Sequence, residues 1–215
     1  ELPKPSSHDE EFNTTNSEYL QAQFERKTEF GVWNKLFRNN FVKRVRFAPG
    51  KIHEDVIFSA DLLKNLSHGA VYTTKELYFY RQRESGIVST QSKRCSPDRI
   101  YAGEYLLQAV RKAAPELTKM ALQYAIEYPW MFIDPIYVQR AFHQNQDFLK
   151  AIQKYLRDNI SEYKLYNIFS ATQTNRMSLF SKSRFMYGFN AYARLIRVYV
   201  YRIIGKDAYR DGHGI

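Results

Sequence analysis

The pattern of apolar and polar positions near the amino terminus predicts a loop that is followed by helices. Residues 1–17 are polar and contain prolines, which favours an irregular start. Helical character extends from Glu18 to Phe37, and Gly31 is a candidate break within it. Apolar side chains at spacings of three and four predict one buried helical face just beyond this break: Trp33, Leu36, Phe37 and Phe41.

Three short strands and one helix are predicted between residues 45 and 80. The strands cover residues 45–47, 70–73 and 77–80, and the Pro49-Gly50 turn ends the first of them. A helix begins at Asp55 after that turn. Its apolar positions predict burial on one side: Val56, Phe58, Ala60, Leu62, Leu63 and Leu66.

The part of the chain after Ser92 is predicted to be helical. Ser96-Pro97-Asp98 is a helix-start signal with proline at the first helical position, and Asp134-Pro135 repeats it. Ser161 is a third candidate cap, for a helix that reaches Phe169. The predicted helices cover residues 98–114 and 115–128, one that starts near 134, one around 148–156, and residues 161–169 and 181–204.

These patterns predict an α/β chain that is mostly helical by content. We expect a polar amino-terminal segment, a mixed region with short strands, a helical extension and a polar tail. Their predicted bounds are residues 1–17, 18–92, 93–205 and 206–215.

Composition predicts a folded protein in a reducing compartment. Of the 215 residues, 44% are hydrophobic, and 17 Tyr and 15 Phe give ample material for a core. The sequence has no apolar run of about 18 residues and no signal-peptide pattern at its start. Because Cys95 is the one cysteine, an internal disulfide is excluded, and we expect a cytoplasmic location.

The net charge of +10 favours anionic partners such as nucleic acid, acidic lipid headgroups or a phosphorylated substrate. An ordinary basic surface that serves solubility explains the charge equally well. A nucleic-acid partner is the least supported of these, because the sequence has no helix-turn-helix, aromatic RNA-binding or zinc-finger signature.

The last predicted helix combines basic and aromatic residues and is a candidate for contact with an anionic membrane, at its inner face. The alternative is that its apolar stripe packs on the other helices of the extension. The residues concerned are Phe185, Phe189, Tyr192, Ile196, Tyr199 and Ile203, with Arg194, Arg197 and Arg202 beside them.

Four segments between Trp33 and Ser89 occur in an order that is typical of one enzyme family. They are Trp33-Asn-Lys-Leu-Phe-Arg38, Phe47-Ala-Pro-Gly50, His53-Glu-Asp-Val-Ile-Phe58 and Leu77-Tyr-Phe-Tyr-Arg81 with Ser85. Together they resemble the acceptor-side half of an inverting family 2 glycosyltransferase of the GT-A fold. The resemblance therefore implies that residues 18–92 are the carboxyl-terminal part of a GT-A-like domain.

The resemblance implies a role for each matching residue. Asp55 would be the general base that takes the proton of the acceptor hydroxyl, and Glu54 would orient or bind the acceptor. His53, Trp33, Lys35, Arg81 and Arg83 would contact the acceptor or the donor diphosphate. For an isolated Glu54-Asp55 pair, stabilisation of a helix start by its acidic residues is the alternative. Trp33 is equally explained as a pocket wall, Lys35 as a solvated lysine and Arg81 as an ion-pair partner within the fold.

The resemblance also implies a nucleotide-sugar donor, a saccharide acceptor and a divalent cation, Mg²⁺ or Mn²⁺, on the donor diphosphate. Members of the family hold that cation with an aspartate-x-aspartate motif in a donor-binding half, and this sequence contains no such motif. The histidines and the cysteine have no zinc-like spacing. We therefore expect most metal ligands to lie outside this chain, and we expect the chain alone to be an inactive fragment.

The sequence thus predicts a glycosyltransferase of polysaccharide or glycoconjugate synthesis that acts with inversion. The rival hypothesis is a non-catalytic basic module that binds a membrane surface or a partner protein.

Overall fold

The structure, a computed structural model, describes residues 11–43, 45–63, 69–73, 75, 77–79, 81 and 95–203. It divides into two compact units. The first unit comprises the described residues up to 81 together with residues 98–128, and the second comprises residues 95–97 and 129–203. The chain is mostly helical with a small two-stranded sheet.

The sheet of the first unit joins the predicted strand at residues 70–73 to a strand that the sequence analysis missed. Strand β1 (Glu11–Thr14) pairs antiparallel with strand β2 (Ala70–Thr73). The expected loop at residues 1–17 is therefore wrong for residues 11–14. The Thr14 hydroxyl donates to the Ala70 carbonyl at 2.9 Å, so a polar side chain reinforces the ladder.

Two other predicted strands are absent from the described residues. At residues 45–47, the ring of Phe47 stacks on that of Phe58 with centres 4.5 Å apart. Arg46 Nη1 donates at 2.9 Å to the carbonyl of Val45, an acceptor that a neighbouring strand would use. Residues 77–79 are irregular as well, because Leu77 N–H turns back to the Lys75 carbonyl at 3.0 Å. The predicted strand position at Tyr80 lies outside the described residues.

Five α-helices begin within the described residues of the first unit. They are α1 (Asn16–Phe24), α2 (Asn39–Val42), α3 (Glu54–Leu63), α4 (Asp98–Ala113) and α5 (Thr118–Trp130), with a 3-10 turn at Pro115–Leu117. The predicted starts of α3 and α4 are right within one residue. The proposed helix position of Leu66 lies outside the described residues.

The predicted buried helix between residues 33 and 41 is wrong for residues 33–38, and only its end falls within α2. Residues 33–38 form a turn and extended chain, and Leu36 is fully exposed. The Lys35 ammonium donates to the carbonyls of Glu29 and Gly31, and such side-chain hydrogen bonds compete with the backbone ladder of a helix. Spacing alone could not reveal this competition.

The core of the first unit lies where α3, α4 and α5 pack together. Leu106 and Val110 of α4 and Leu122 and Ile126 of α5 are fully buried. At the contact of α4 with α5, a Cβ on Gly103 would lie 3.1 Å from Ala125 Cα. Glycine at this position therefore lets the two backbones approach closely.

Four α-helices begin within the described residues of the second unit. They are α6 (Ile133–Val138), α7 (Gln146–Leu165), α8 (Ala171–Lys182) and α9 (Arg184–Ile203), with a 3-10 turn at His143–Asn145. The predicted cap at Ser161 is wrong, because this residue lies inside α7. Ser170 caps α8 instead, since its hydroxyl accepts from Gln173 N–H at 3.3 Å.

Asp134 joins three helices of the second unit. Its Oδ1 accepts from the Tyr187 hydroxyl at 2.5 Å and from Arg194 at 3.0 Å, while Oδ2 accepts from Arg176. The predicted capping role of Asp134 is therefore wrong, because its carboxylate is taken up by partners from α8 and α9. Burial is the largest cause that raises the pKa of Tyr187, to about 12, and the negative charge of Asp134 adds to it.

None of the helices in the described part of the chain combines the length and the apolar character needed to cross a membrane.

Candidate functional site

The start of α3 is anchored to the start of α4 by one carboxylate. Asp98 accepts from Lys51 Nζ at 2.8 Å and from Ile52 N–H at 3.3 Å. The Lys51 ammonium also lies 4.9 Å from the centre of the Tyr101 ring. The loop just before His53, Glu54 and Asp55 is therefore fixed by the side chain of Lys51 and by the main chain of Ile52.

His53 has a left-handed backbone with φ of 68°, an uncommon conformation for a residue other than glycine. Its Nδ1 lies 3.4 Å from the Tyr128 hydroxyl, and its Nε2 is buried with no hydrogen-bond partner among the described residues. Burial, the largest cause, and the nearby positive charge of Arg99 together lower the pKa of His53 to about 4, against the opposing charge of Asp98. The imidazole is therefore neutral near pH 7.

Asp55 is half-buried in the first turn of α3, and Glu54 beside it is exposed. The Asp55 carboxylate accepts from Val56 N–H at 2.8 Å through Oδ1. Burial lowers the pKa of Lys35, and the negative charge of Asp55 opposes that change. Burial raises the pKa of Tyr124 and of Tyr128, and the charge of Asp55 adds to that rise. Asp55 is therefore electrostatically coupled to one cation and to two tyrosines.

Tyr124 and Tyr128 of α5 form an aromatic wall at this site. Their rings stack with centres 5.4 Å apart, and the buried Arg99 guanidinium lies 4.3 Å from the centre of the Tyr128 ring. Burial is the largest cause that raises the pKa of both hydroxyls, so both tyrosines stay neutral well above pH 7. The wall supplies aromatic surface and neutral hydroxyl groups.

Lys35 is positioned by three acceptors. Its Nζ donates to Glu29 O at 2.6 Å, to Asn34 Oδ1 at 2.9 Å and to Gly31 O. Burial lowers the pKa of Lys35, and the charges of Glu29 and Asp55 oppose that change. Because an ammonium has three N–H groups, its donors are taken in this structure, and it acts on Asp55 through its charge.

Three other predicted site residues are Trp33, Arg81 and Arg83. Trp33 is 37% exposed and packs on Tyr78 with ring centres 4.9 Å apart. Arg81 is exposed, and Arg83 lies outside the described residues. The structure therefore brings together Lys35, His53 and Asp55, and the roles of all the predicted site residues stay predictions.

The sequence analysis missed three residues at this site: Arg99, Tyr124 and Tyr128. The two tyrosines are four residues apart on one helix, a spacing that places both rings on the same face. That spacing was the available signal. Arg99 gave none, since a charged residue beside a helix start is usually solvated.

The chemistry of the site is that of a half-buried carboxylate beside a neutral imidazole and aromatic hydroxyls. A carboxylate in such surroundings can accept a proton from a hydroxyl group brought against it. In the described part of the chain, no group of three or more His, Cys, Asp or Glu side chains is arranged to hold a metal ion. These residues therefore do not by themselves fit the divalent cation that the resemblance implies.

Comparison of this chain with models of protein families, with curated proteins and with solved structures finds no match.

Proposed function

We propose that this chain is the acceptor-side part of an inverting, nucleotide-sugar-dependent glycosyltransferase of the GT-A fold. The observation that carries the proposal is the setting of Asp55, half-buried at the start of α3 and coupled in charge to Lys35 and the tyrosine wall. The order of the four sequence segments between Trp33 and Ser89 supports it.

In the proposed reaction, Asp55 takes the proton of an acceptor hydroxyl while that oxygen attacks the anomeric carbon of the donor sugar. The new glycosidic bond forms as the bond between the anomeric carbon and the donor phosphate oxygen breaks. The nucleoside diphosphate leaves with the electron pair of that bond. A general base in this position contributes about 10²–10⁴-fold to the rate.

The residues around Asp55 favour the role of base. His53 is neutral near pH 7, so it does not add a second positive charge beside the carboxylate. Trp33, packed on Tyr78, offers an exposed aromatic surface of the kind that covers the apolar face of a sugar ring. Glu54 is exposed and available to accept from acceptor hydroxyl groups.

The donor side of the reaction belongs to residues outside this chain in the proposal. A divalent cation, Mg²⁺ or Mn²⁺, would stabilise the leaving diphosphate as a Lewis acid when bound there. Arg81 and Arg83 remain candidates for contact with the diphosphate. Polysaccharide or glycoconjugate synthesis is the proposed setting.

The test is Asp55→Asn in the full-length protein, assayed with a panel of nucleotide sugars for release of nucleoside diphosphate in the presence of acceptor saccharides. We expect kcat to fall by about 10²–10⁴-fold, since the amide cannot take the proton. Asp158→Asn is the matched control, because Asp158 is an exposed carboxylate paired with Lys154 on α7. Equal activity of the two variants would overturn the role of Asp55.

A second candidate function is peripheral binding of an anionic membrane through α9. Three apolar side chains at spacings of four and seven are largely exposed on one side of this helix: Phe185 (82%), Phe189 (71%) and Ile196 (65%). Arg197 is exposed, Arg194 is paired with Asp134, and the helix contains no acidic residue. This charge is complementary to an anionic lipid surface. Tyr192 faces the protein instead, because its hydroxyl donates to the Tyr137 carbonyl at 2.9 Å.

Co-sedimentation with phosphatidylglycerol vesicles tests this second function. The double variant Phe185→Ser with Phe189→Ser should bind at least tenfold more weakly, since each phenylalanine contributes roughly 1.5–3 kcal/mol on full burial. The control is Leu77→Ser with Val138→Ser, which removes exposed apolar side chains elsewhere. Equal binding of both double variants, or no binding by the unchanged chain, would contradict the proposal. Asp55→Asn should leave vesicle binding unchanged.

A further inference from the structure

A basic groove lies between α7 and α8 in the second unit, away from every residue assigned a role above. Its volume is about 440 Å³, within the range of about 300–1,000 Å³ that small-molecule sites occupy. Six residues line it: Arg157, Ile160 and Lys164 from α7, and Ser178, Ser181 and Lys182 from α8.

The walls of this groove are fixed by hydrogen bonds between the two helices. Gln153 Nε2 donates to Phe180 O at 3.2 Å and to Ser181 O at 3.3 Å, and Arg157 Nη2 lies 3.4 Å from Ser181 O. Below the groove, Phe148, Ile152 and Phe180 are fully buried. The cations therefore project from a rigid base and not from a mobile loop.

The charge of the groove is strongly one-sided. Arg157, Lys164 and Lys182 supply three positive charges, and none of the lining residues is acidic. The carboxyl end of α8 contributes roughly half a negative charge, which is much less than the three cations supply. The carbonyls of Phe180 and Ser181 at that end already accept hydrogen bonds from α7.

The acidic side chain next to Arg157 on α7 does not neutralise the groove, and Glu162, two residues before Lys164, is not among its lining residues. Asp158 follows Arg157 directly, and its carboxylate pairs with Lys154 at the i, i+4 position. Lys154 and Asp158 are exposed, so this pair is solvated. The three lining cations therefore keep a net positive potential at the groove.

We propose that this groove binds the phosphate group of a phosphorylated ligand. The Arg157 guanidinium has donors to spare for two phosphate oxygens, and Lys164 and Lys182 supply further charge. Ser178 is half-buried in the wall and offers a hydroxyl donor. Because the volume exceeds that of a phosphate ion, the groove has room for the group to which the phosphate is attached.

Two sources share this chemistry: a soluble phosphorylated metabolite and a lipid headgroup. Lys182 is three residues before the exposed Phe185, so their Cα atoms lie within about 11 Å of each other. A headgroup in the groove would therefore be near the apolar side of α9. The site does not depend on the proposed glycosyl transfer.

In the first experiment, amide and arginine side-chain NMR signals of the full chain are followed during titration with glycerol phosphate. In parallel, binding of the chain to phosphatidic acid vesicles is measured. The test variant is Arg157→Gln with Lys164→Gln. The matched control is Lys119→Gln with Lys150→Gln, which removes two positive charges from exposed positions outside the groove. We expect saturable binding that the test variant weakens at least tenfold and the control less than twofold.

A second pair of variants keeps the test independent of folding effects at Arg157. Ser178→Asp places a carboxylate in the groove, whereas Asn175→Asp places one on an exposed position of the same helix. Only Ser178→Asp should abolish binding. Saturation by glycerol phosphate identifies a soluble ligand, and saturation on vesicles alone identifies a headgroup; both support the site. Equal weakening by test and control variants, or no saturable binding of either probe, would overturn it.

Discussion

The imidazole of His53 meets the ring of Tyr128 edge-on, with ring centres 5.4 Å apart and planes at 83°. His53, which lies two residues before the proposed base, is thus fixed by Tyr128 of α5, 75 positions later in the chain. Arg99 and Asp98 at the start of α4 act on the same imidazole with opposite charges.

This arrangement predicts opposite effects of two substitutions on the pKa of His53. Arg99→Gln removes a positive charge and should raise that pKa, whereas Asp98→Asn removes a negative charge and should lower it. Arg99→Lys keeps the charge and should change the pKa least. NMR titration of the imidazole signals measures all three, and shifts of the same sign for the first two would contradict the electrostatic account.

Stability should fall with decreasing pH because of His53. Its folded pKa of about 4 lies below the ordinary value of 6.5, so the unfolded chain binds the proton first as pH falls between these values. The stabilisation by the neutral imidazole is complete above about pH 6.5 and is lost towards pH 4. After allowance for partial solvent screening, we expect a loss of about 1 kcal/mol between pH 7 and pH 5.

Urea unfolding of the chain and of His53→Asn at several pH values measures this loss. Asparagine tolerates the left-handed backbone and does not titrate, so the difference between the two chains isolates the imidazole. A difference that does not change with pH would show that His53 has an ordinary pKa.

Asp134→Ala should be among the more damaging single changes in the second unit. It leaves Arg176 and Arg194 close together without their shared carboxylate and removes the acceptor of the Tyr187 hydroxyl. We expect a loss of about 2–4 kcal/mol in unfolding free energy. Asp158→Ala, which breaks an exposed pair, should cost less than about 0.5 kcal/mol by the same denaturation measurement.

Two serines should differ in their effect on helix stability. Ser170→Ala removes the cap of α8 and should cost about 1 kcal/mol. Ser161→Ala lies at an exposed position inside α7 and should be neutral or slightly stabilising, because alanine has the higher helix propensity. Thermal unfolding followed by circular dichroism distinguishes them, and equal losses would mean that Ser170 is not a cap.

The same two serines show what the sequence predicts and where it misleads. Gln173 stands three residues after Ser170 and completes a capping box, whereas Lys164 stands at that position after Ser161. The long helices of the carboxyl half were predictable because amphipathic spacing is a local property. The choice between two candidate caps depended on a partner residue that is also local and was overlooked.

Other features depend on contacts that no local pattern contains. Strand β1 is polar and exists through pairing with β2, nearly sixty residues later. The burial of Arg99 depends on the Tyr128 ring that covers its guanidinium. Asp134 resembles a cap in the sequence, yet its carboxylate is taken by residues that are 42 to 60 positions away. At the candidate site, the position of Asp55 in the first turn was predictable, and its tyrosine surroundings were not.

The segment that contains Trp33 has neither helix nor strand, and it is organised around a single ammonium group. The three acceptors of Lys35 converge on one nitrogen, an arrangement that suits the compact head of lysine. The flat, forked head of arginine spreads its donors in a plane and does not match it. Acetylation of this lysine would remove two of the three donors together with the charge. The chain on either side of Trp33 would then lose most of the hydrogen bonds from Lys35 that hold it in this conformation.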